Sequence, residues 1–529
     1  MSGDAPAAPR RRDGVAIFAL ALAARVAVVA WAAGRFPPTA DATYYQRIAE
    51  RIAAGLGYTW LWPDGVVTYA AHYPVGYPGA IGALYALVGT HPAGAMLLNA
   101  VLGALGALAV HRLAARAAPR SRAVAALAGA LVALHPGLVA YTPALMTEGV
   151  TGSLVACAAW ASAWARERRP ALAPFVVLGL LVGMATLVRP QTLVLAPVFA
   201  GLALLGPAPG DPPRSSGAPA PRVGAARAAR RAAPILLTVI AALLVCAPWT
   251  ARNCARMDRC ALVSVNGGWN LLIGADPAST GAWSPIQVPE ACRDVFDEAG
   301  KDACFGREAR RFIVEHPGTW LGLMPRKLAA TFDYCGAAGW YLHASNPAAF
   351  SEAAKVALGA VETAFERAVL LLALVWALRR SAPAPGALGG RARELSLAHR
   401  GLALARLALF AVGVVAALHV HAWVGYLALL GLALLEGRAL LRAPVLAGAA
   451  LAVLAATALT HAVFFGAGRY ALVAFPLLTG LAALAAARQD PARHRAGVPR
   501  AMEGAGAGGD GAAGSAVSAS PSASERERL

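Results

Sequence analysis

The sequence predicts an all-α polytopic membrane protein with about twelve transmembrane helices and two long loop regions on the outer face. Of its 529 residues, 58% are hydrophobic and only 14% are charged, whereas soluble domains are usually about 45–50% apolar and about 25% charged. Apolar runs long enough to span a bilayer recur along the chain. Basic residues separate these runs, so the net charge of +19 indicates membrane topology rather than nucleic-acid binding.

Twelve apolar runs are predicted to span the membrane: 14–34, 95–113, 123–141, 150–165, 171–187, 191–206, 234–250, 356–378, 401–420, 422–437, 443–465 and 470–487. The shorter run 76–90 contains Pro78 and is either a thirteenth span or an interfacial helix. With 76–90 outside, 25 arginines near the spans are cytoplasmic and the short outer loops carry only Arg189 and Arg469. A thirteenth span would remove this bias, so we predict that 76–90 lies on the outer face.

This topology predicts a transmembrane domain over residues 1–487, with segments 35–94 and 251–355 on the outer face. Segment 207–233 is predicted to be a basic cytoplasmic loop. Segment 488–529 is rich in glycine, alanine and serine and cannot bury a core, so we expect a disordered cytoplasmic tail.

Candidate chemistry begins at Asp41, a few residues beyond the first span and close to Tyr44 and Tyr45. A carboxylate at that depth, with little water around it, can act as a general base on a hydroxyl or an amine. The alternative is that Asp41 only caps a helix starting at Ala42, with the two tyrosines as interfacial aromatics.

An ordered set of motifs resembles the GT-C integral membrane glycosyltransferases, in particular the family 39 type branch of protein mannosyltransferases and aminoarabinose transferases. The resemblance runs from about residue 14 to 487. It is carried by Asp41 after the first span, Gly57-Tyr58, the Tyr-Pro-Val-Gly-Tyr-Pro segment 73–78, Leu-Met-Thr-Glu at 145–148, Leu-Val-Arg-Pro at 187–190, Pro-Trp-Thr-Ala-Arg-Asn at 248–253 and Gly-Arg-Tyr at 468–470.

The resemblance implies an enzyme that moves a sugar from a polyprenyl-phosphate carrier to an acceptor at the outer face of the bacterial cytoplasmic membrane, as a hexosyl- or pentosyltransferase of cell-envelope or protein glycosylation. Its implied partners are membrane lipids, the lipid-linked donor and an unidentified glycan, lipid or protein acceptor, with no nucleic acid. The resemblance implies catalytic roles for Asp41 and Glu148. Guanidinium groups fork onto phosphate oxygens, so the donor phosphate is assigned to Arg189, Arg252 and Arg469, and the substrate lining to Tyr44, Tyr45, His72 and Tyr470.

Several of these residues also have a structural interpretation. Arg189 could snorkel to the interface, and Arg252 could belong to a turn of the large loop. Arg25 lies within the first span, where a charge is costly, and we expect it to have a structural partner inside the bundle. His72, His343 and His461 show no metal-ligand spacing and are expected mostly at the surface or at helix ends. No metal site is predicted, and a divalent metal requirement is left open.

Five of the seven cysteines fall in segment 251–355. In an oxidising compartment, Cys254–Cys260 and Cys292–Cys304 are predicted disulfides, which leaves Cys335 over. A zinc site and free thiols are the alternatives.

Two other function classes fit a chain with many spans. An O-antigen ligase or polymerase also uses lipid-linked sugars, but we expect its large outer loop late in the chain. A lipid-linked-sugar transporter or flippase usually shows two related halves or broken midplane helices. Two long outer segments and an Asp directly after span one favour the transferase.

Overall fold

The computed structural model describes residues 11–206, 225–276, 278–381 and 397–487. Apolar runs of 15 to 30 residues form helices because a helix satisfies every backbone hydrogen bond within one segment. The elements are α1 Arg11–Ala32, α2 Asp41–Ala53, β1 Thr59–Leu61, β2 Val67–Tyr69, α3 Gly76–Val88, α4 Pro92–Ala117, α5 Arg122–Ala133, α6 Pro136–Ala140, α7 Thr147–Glu167, α8 Ala173–Val188, α9 Leu195–Leu205, α10 Ala225–Arg256, α11 Gly267–Ala275, α12 Glu298–Glu315, α13 Pro317–Phe332, α14 Ala337–Ser345, α15 Glu352–Ser381, α16 Leu397–Leu418, α17 Ala422–Leu435, α18 Val445–Val463 and α19 Phe475–Ala483.

All twelve predicted spans are helical, which agrees with the predicted all-α polytopic membrane protein. Within the described ranges, six helical segments are long and apolar enough to cross a bilayer, and five shorter apolar helices accompany them. Short 3-10 turns at Pro190–Val194 and Gly468–Val473 precede α9 and α19. The third span is broken: α5 ends at Ala133 and α6 begins at Pro136.

Helix α3 corresponds to the ambiguous run 76–90. It has 13 residues, or about 20 Å at 1.5 Å per residue, which is shorter than a hydrocarbon core of about 30 Å. It lies against α2, where a Cβ at Gly82 would lie 2.7 Å from the Cβ of Ile52. Helix α17, within a predicted span, is similarly short at 14 residues, so the interfacial position of 76–90 stays a prediction.

Helix α10 begins at Ala225, within the predicted cytoplasmic loop 207–233, whose cytoplasmic location stays a prediction. The rest of that loop, 207–224, and the predicted tail 488–529 lie outside the described residues.

Small residues bring the helices close together, which accounts for the alanine- and glycine-rich composition. Between α8 and α10, a Cβ at Gly179 would lie 2.5 Å from the carbonyl oxygen of Thr238, and one at Gly183 would lie 2.7 Å from the Cβ of Val245. Close backbone approach of this kind provides van der Waals packing where lipid removes the hydrophobic driving force between helices.

Arg25 has the internal partner expected for a charge within a span. The side chain is 2% exposed, and Nη1 donates to the carbonyls of Ala21 at 3.1 Å and Ala133 at 3.0 Å, while Nη2 donates to Val132 at 3.3 Å. Val132 and Ala133 end α5, and the last carbonyls of a helix lack intrahelical donors. Arg25 therefore supplies hydrogen-bond donors to the free carbonyls at the point where the third span is broken.

The two ends of the helix bundle carry different ion pairs. Arg122 pairs with Asp13 at 2.5 Å, and Arg116 pairs with Glu167 at 2.6 Å. Glu167 ends α7, whereas Glu148 lies in the first turn of the same 21-residue helix, about 30 Å away. The predicted cytoplasmic loops thus meet at one end, and the site described below lies at the other.

The segment 251–355 contains the end of α10, helices α11 to α14 and the start of α15. Both predicted disulfides, Cys254–Cys260 and Cys292–Cys304, are present, and Cys335 is a buried free thiol. Glu298 joins the two predicted outer segments, because its carboxylate accepts hydrogen bonds from the backbone N–H groups of Ala71 and His72 at 2.9 and 2.7 Å.

Candidate active site

Asp41 is the first residue of α2, and its side chain turns away from the helix. The N-cap is Ala40, and no side chain caps the helix. Asp41 Oδ1 accepts a hydrogen bond from the Tyr73 hydroxyl at 3.3 Å, and Oδ2 lies 2.7 Å from Nη2 of Arg469. The structure therefore does not support the alternative in which Asp41 serves as a helix cap.

The backbone before Asp41 is strained. Ala40 has φ 52° and ψ −132°, a conformation that a residue with a Cβ rarely adopts. The N–H of Ala42 donates a hydrogen bond to the carbonyl of Thr39 at 3.1 Å, and this bond closes a tight turn that contains Ala40. Such strain persists only where the surrounding structure enforces it, and here it accompanies the placement of the Asp41 carboxylate.

Glu148 is the buried counterion of two arginines. Its side chain is 1% exposed, and Oε1 pairs with Nη2 of Arg189 and lies 3.5 Å from Nε of Arg469. Its Oε2 accepts a hydrogen bond from the Tyr141 hydroxyl at 3.2 Å. Because every oxygen is engaged and buried, Glu148 is suited to hold the arginines rather than to receive a proton from a substrate.

Arg189 and Arg469 both contact the Tyr470 ring as well as Glu148. Their guanidinium carbons lie 5.1 and 5.2 Å from the centre of the Tyr470 ring. The Tyr470 ring also stacks on the ring of His461, with the ring centroids 4.3 Å apart and 10° between the planes. Two planar cations with one buried carboxylate between them form an arrangement that suits an oxyanion such as phosphate.

The aromatic residues predicted to line the substrate lie beside Asp41. Tyr44 is 42% exposed, and its ring lies tilted against those of Trp60 at 4.9 Å and Tyr73 at 5.2 Å. Tyr45 is buried, with its ring edge against Tyr73 at 5.1 Å. Burial, reinforced by the Asp41 charge, raises the pKa of Tyr45 well above its usual range, so that its hydroxyl stays protonated.

His72 lies in the same region and is neutral. Its ring packs edge-on against Tyr73 at 4.9 Å and Trp269 at 5.4 Å. Burial lowers the pKa of His72 to about 4, against the opposing effect of Asp41. The residue therefore contributes an uncharged wall between the two outer segments.

Arg252 does not join the arginine pair. Its Nη1 donates to the carbonyl of Ala70 at 2.9 Å, and its Nη2 donates to the backbone carbonyl of Tyr58 at 2.8 Å. Its guanidinium carbon lies 4.6 Å from the centre of the Trp249 ring. These contacts hold segment 58–70 in place and fit the structural-turn alternative. A role of Arg252 in phosphate binding stays a prediction.

Three residues that contact the candidate active-site side chains were not assigned to the site from the sequence: Tyr73, Tyr141 and His461. Tyr73 belongs to the motif 73–78 and could have been named from it. Tyr141 lies in an apolar run with no distinguishing signal. His461 lies in the last turn of α18, in agreement with the expected helix end, and its side chain is buried. Among the residues that the structure describes, no group of three or more His, Cys, Asp or Glu side chains is placed to hold a metal ion.

Residues 72–212, which include Tyr73, Glu148 and Arg189, match the family model of dolichyl-phosphate-mannose-protein mannosyltransferases. This match confirms the resemblance to family 39 type GT-C glycosyltransferases in that part of the chain. The chain matches no curated protein sequence.

Solved structures of two kinds of membrane glycosyltransferase are similar to the chain. The Archaeoglobus fulgidus oligosaccharyltransferase tethered with an acceptor peptide has 14% identity and a TM-score of 0.44 over 90% of this chain and 49% of its own. The same organism's AglB with an inhibitory peptide and dolichol-phosphate has 16% identity and a TM-score of 0.41 over 89% and 50%. ArnT from Cupriavidus metallidurans bound to undecaprenyl phosphate has 17% identity and a TM-score of 0.36 over 89% and 77%. The chain spans about half the length of the archaeal proteins.

Proposed function

We propose that this protein is a glycosyltransferase that moves a hexosyl or pentosyl group from a polyprenyl-phosphate carrier to an acceptor at the outer face of the bacterial cytoplasmic membrane. The observation that carries the proposal is the chain of charges from Asp41 through Arg469 and Glu148 to Arg189. It combines a partly exposed carboxylate with two cations, which are the groups that such a transfer needs. The match of residues 72–212 to a family named for a dolichyl-phosphate donor supports this class of carrier.

Arg469 and Arg189 are proposed to bind the donor phosphate. Glu148 holds both guanidinium groups before the donor arrives, so little reorganisation is needed when the phosphate binds. As the bond between the sugar anomeric carbon and the phosphate oxygen breaks, the phosphate gains a negative charge. Two arginines at that position stabilise the charge and thereby the leaving group.

Asp41 is proposed to be the general base. The acceptor O–H or N–H attacks the anomeric carbon, its proton passes to Asp41, and polyprenyl phosphate leaves. The phosphate would compete for the Arg469 guanidinium, which now holds Asp41 Oδ2 at 2.7 Å. Donor binding would thus free Oδ2 for the acceptor, while the Tyr73 hydroxyl still orients Oδ1.

The test is a transfer assay with the purified protein in liposomes that contain polyprenyl-phosphate sugars labelled in the sugar. We expect label to leave the carrier fraction only when an envelope acceptor extract is added, and we expect Asp41→Asn to stop this loss. Label that crosses the bilayer while still on its carrier would instead indicate a flippase. Failure of every hexose and pentose carrier to lose label would refute the proposal.

A further inference from the structure

Lys327 is a buried cation that the proposed reaction does not use. It lies in α13, is 0% exposed, and donates from Nζ to the carbonyl of Val463 at 3.0 Å. Its ammonium also lies 5.2 Å from the Trp320 ring centre. Burial lowers the pKa of Lys327 to about 8, which keeps it mainly protonated at neutral pH.

The acceptor of this hydrogen bond is the last residue of α18. Carbonyls at a helix C-terminus lack intrahelical partners and carry partial negative charge, so a cation there is favourable. Lys327 and Val463 are 136 residues apart in the chain. The lysine therefore joins the second outer segment to the helix that leads directly into the loop 464–468 and Arg469.

Close backbone contacts hold the same loop to the same outer segment. The N–H of Gly466 donates to the carbonyl of Gly281 at 2.9 Å. A Cβ at Gly466 would lie 2.0 Å from the carbonyl oxygen of Lys327, and a Cβ at Gly468 would lie 2.3 Å from that of Tyr334. The loop thus has little freedom to move without the segment that contacts it.

The end of α18 also bears on Tyr470. His461, in the last turn of α18, donates a hydrogen bond from Nδ1 to the Phe465 carbonyl at 2.8 Å, and its ring stacks on the Tyr470 ring. Tyr470 in turn faces the guanidinium groups of Arg189 and Arg469. A shift of the helix end would therefore displace the surfaces on which both arginines rest.

From these contacts we propose that Lys327 is a positioning residue that fixes the end of α18 and thereby presents Arg469 to the donor phosphate. This inference rests on the proposed function, because it assumes that Arg469 binds the phosphate of a lipid carrier. It assigns Lys327 no contact with the substrate. It also makes the second outer segment a determinant of donor affinity.

The experiment measures binding of undecaprenyl phosphate, without sugar, to the detergent-solubilised full chain. Lys327→Met keeps the length of the side chain and removes the charge. We expect it to weaken binding about tenfold, the loss that follows if a displaced Arg469 makes one charge-assisted hydrogen bond fewer to the phosphate. Lys327→Arg should restore most of the affinity. Lys301→Met is the matched control, because Lys301 also donates to backbone carbonyls, of Cys292 and Arg293, and should leave binding unchanged.

A double mutant separates positioning from general destabilisation. In an Arg469→Ala background, Lys327→Met should cause no further loss of binding, since the residue through which it acts is gone. Unchanged affinity of Lys327→Met, or a full additional loss in the Arg469→Ala background, would overturn the inference. Failure of the unmodified protein to bind undecaprenyl phosphate would instead count against the proposed function.

Discussion

Arg469 lies between two carboxylates, with Nη2 2.7 Å from Asp41 Oδ2 and Nε 3.5 Å from Glu148 Oε1. The three residues come from three distant parts of the chain, and they differ in exposure. Asp41 is 31% exposed and Glu148 is 1% exposed. This difference assigns proton transfer to Asp41 and charge compensation to Glu148 in the proposed reaction.

Replacing Arg469 by alanine is expected to raise the donor KM far more than it changes kcat for the bound donor. The guanidinium supplies a forked contact that a phosphate oxygen pair recognises. Arg469→Lys should recover only part of the affinity, since an ammonium cannot form that fork. Donor titrations in the transfer assay measure both quantities, with exposed Arg307→Ala as the matched control. A normal donor KM for Arg469→Ala would refute phosphate binding at this residue.

Glu148→Gln is expected to lower thermal stability as well as donor affinity. The substitution keeps the shape but leaves Arg189 and Arg469 in a buried site without their shared counterion. Breaking a buried ion pair typically costs about 3–5 kcal/mol when one charge is left unpaired, and the partial exposure of the arginines should reduce this value. A melting curve of the solubilised protein tests it. The same change at exposed Glu315 should leave the melting temperature unaltered, and an unaltered value for Glu148→Gln would contradict the assignment.

Gly103→Ala is expected to destabilise the protein through Arg25. An added Cβ would lie 2.3 Å from Nε of Arg25, so the guanidinium must leave the carbonyls of Val132 and Ala133. Gly401 has no atom within 4 Å of such a Cβ, and Gly401→Ala serves as the control in the same helical context. Equal melting temperatures for the two variants would show that Arg25 is not needed to close the end of α5.

The predicted topology can be tested with an impermeant thiol reagent on intact cells. Asp64→Cys, in the first outer segment, should react from outside, whereas Arg168→Cys should react only after permeabilisation. The free cysteines of the described ranges, Cys157, Cys246 and Cys335, are buried or half-buried, and the unsubstituted protein measures their background. The reverse pattern of labelling would place the candidate site on the cytoplasmic side.

The helices and part of the site could be predicted from sequence because their signals are local. Each apolar run predicts one helix without information from the rest of the chain. Asp41 and Arg469 are recognisable as charged residues beside short turns. The contacts of Arg25 and Lys327 could not be predicted in this way. Their acceptor carbonyls, Ala133 and Val463, lie 108 and 136 residues away in the chain, and hydropathy does not report which helix end meets which side chain.

The central claim is that the Asp41 carboxylate removes the proton from the hydroxyl or amine that receives the sugar. Sugar transfer by Asp41→Asn tests this claim most directly. The amide keeps the shape of the side chain and removes the base, so we expect a loss of about 10²–10⁴-fold in turnover. Undecaprenyl phosphate should bind at least as tightly as to the unmodified protein, because the competing carboxylate is gone. Asp64→Asn is the matched control and should transfer sugar normally. Asp64 is an exposed carboxylate of the same predicted outer segment, and its Oδ1 accepts a hydrogen bond from the N–H of Val66 at 3.0 Å. Near-normal transfer by Asp41→Asn would contradict the account.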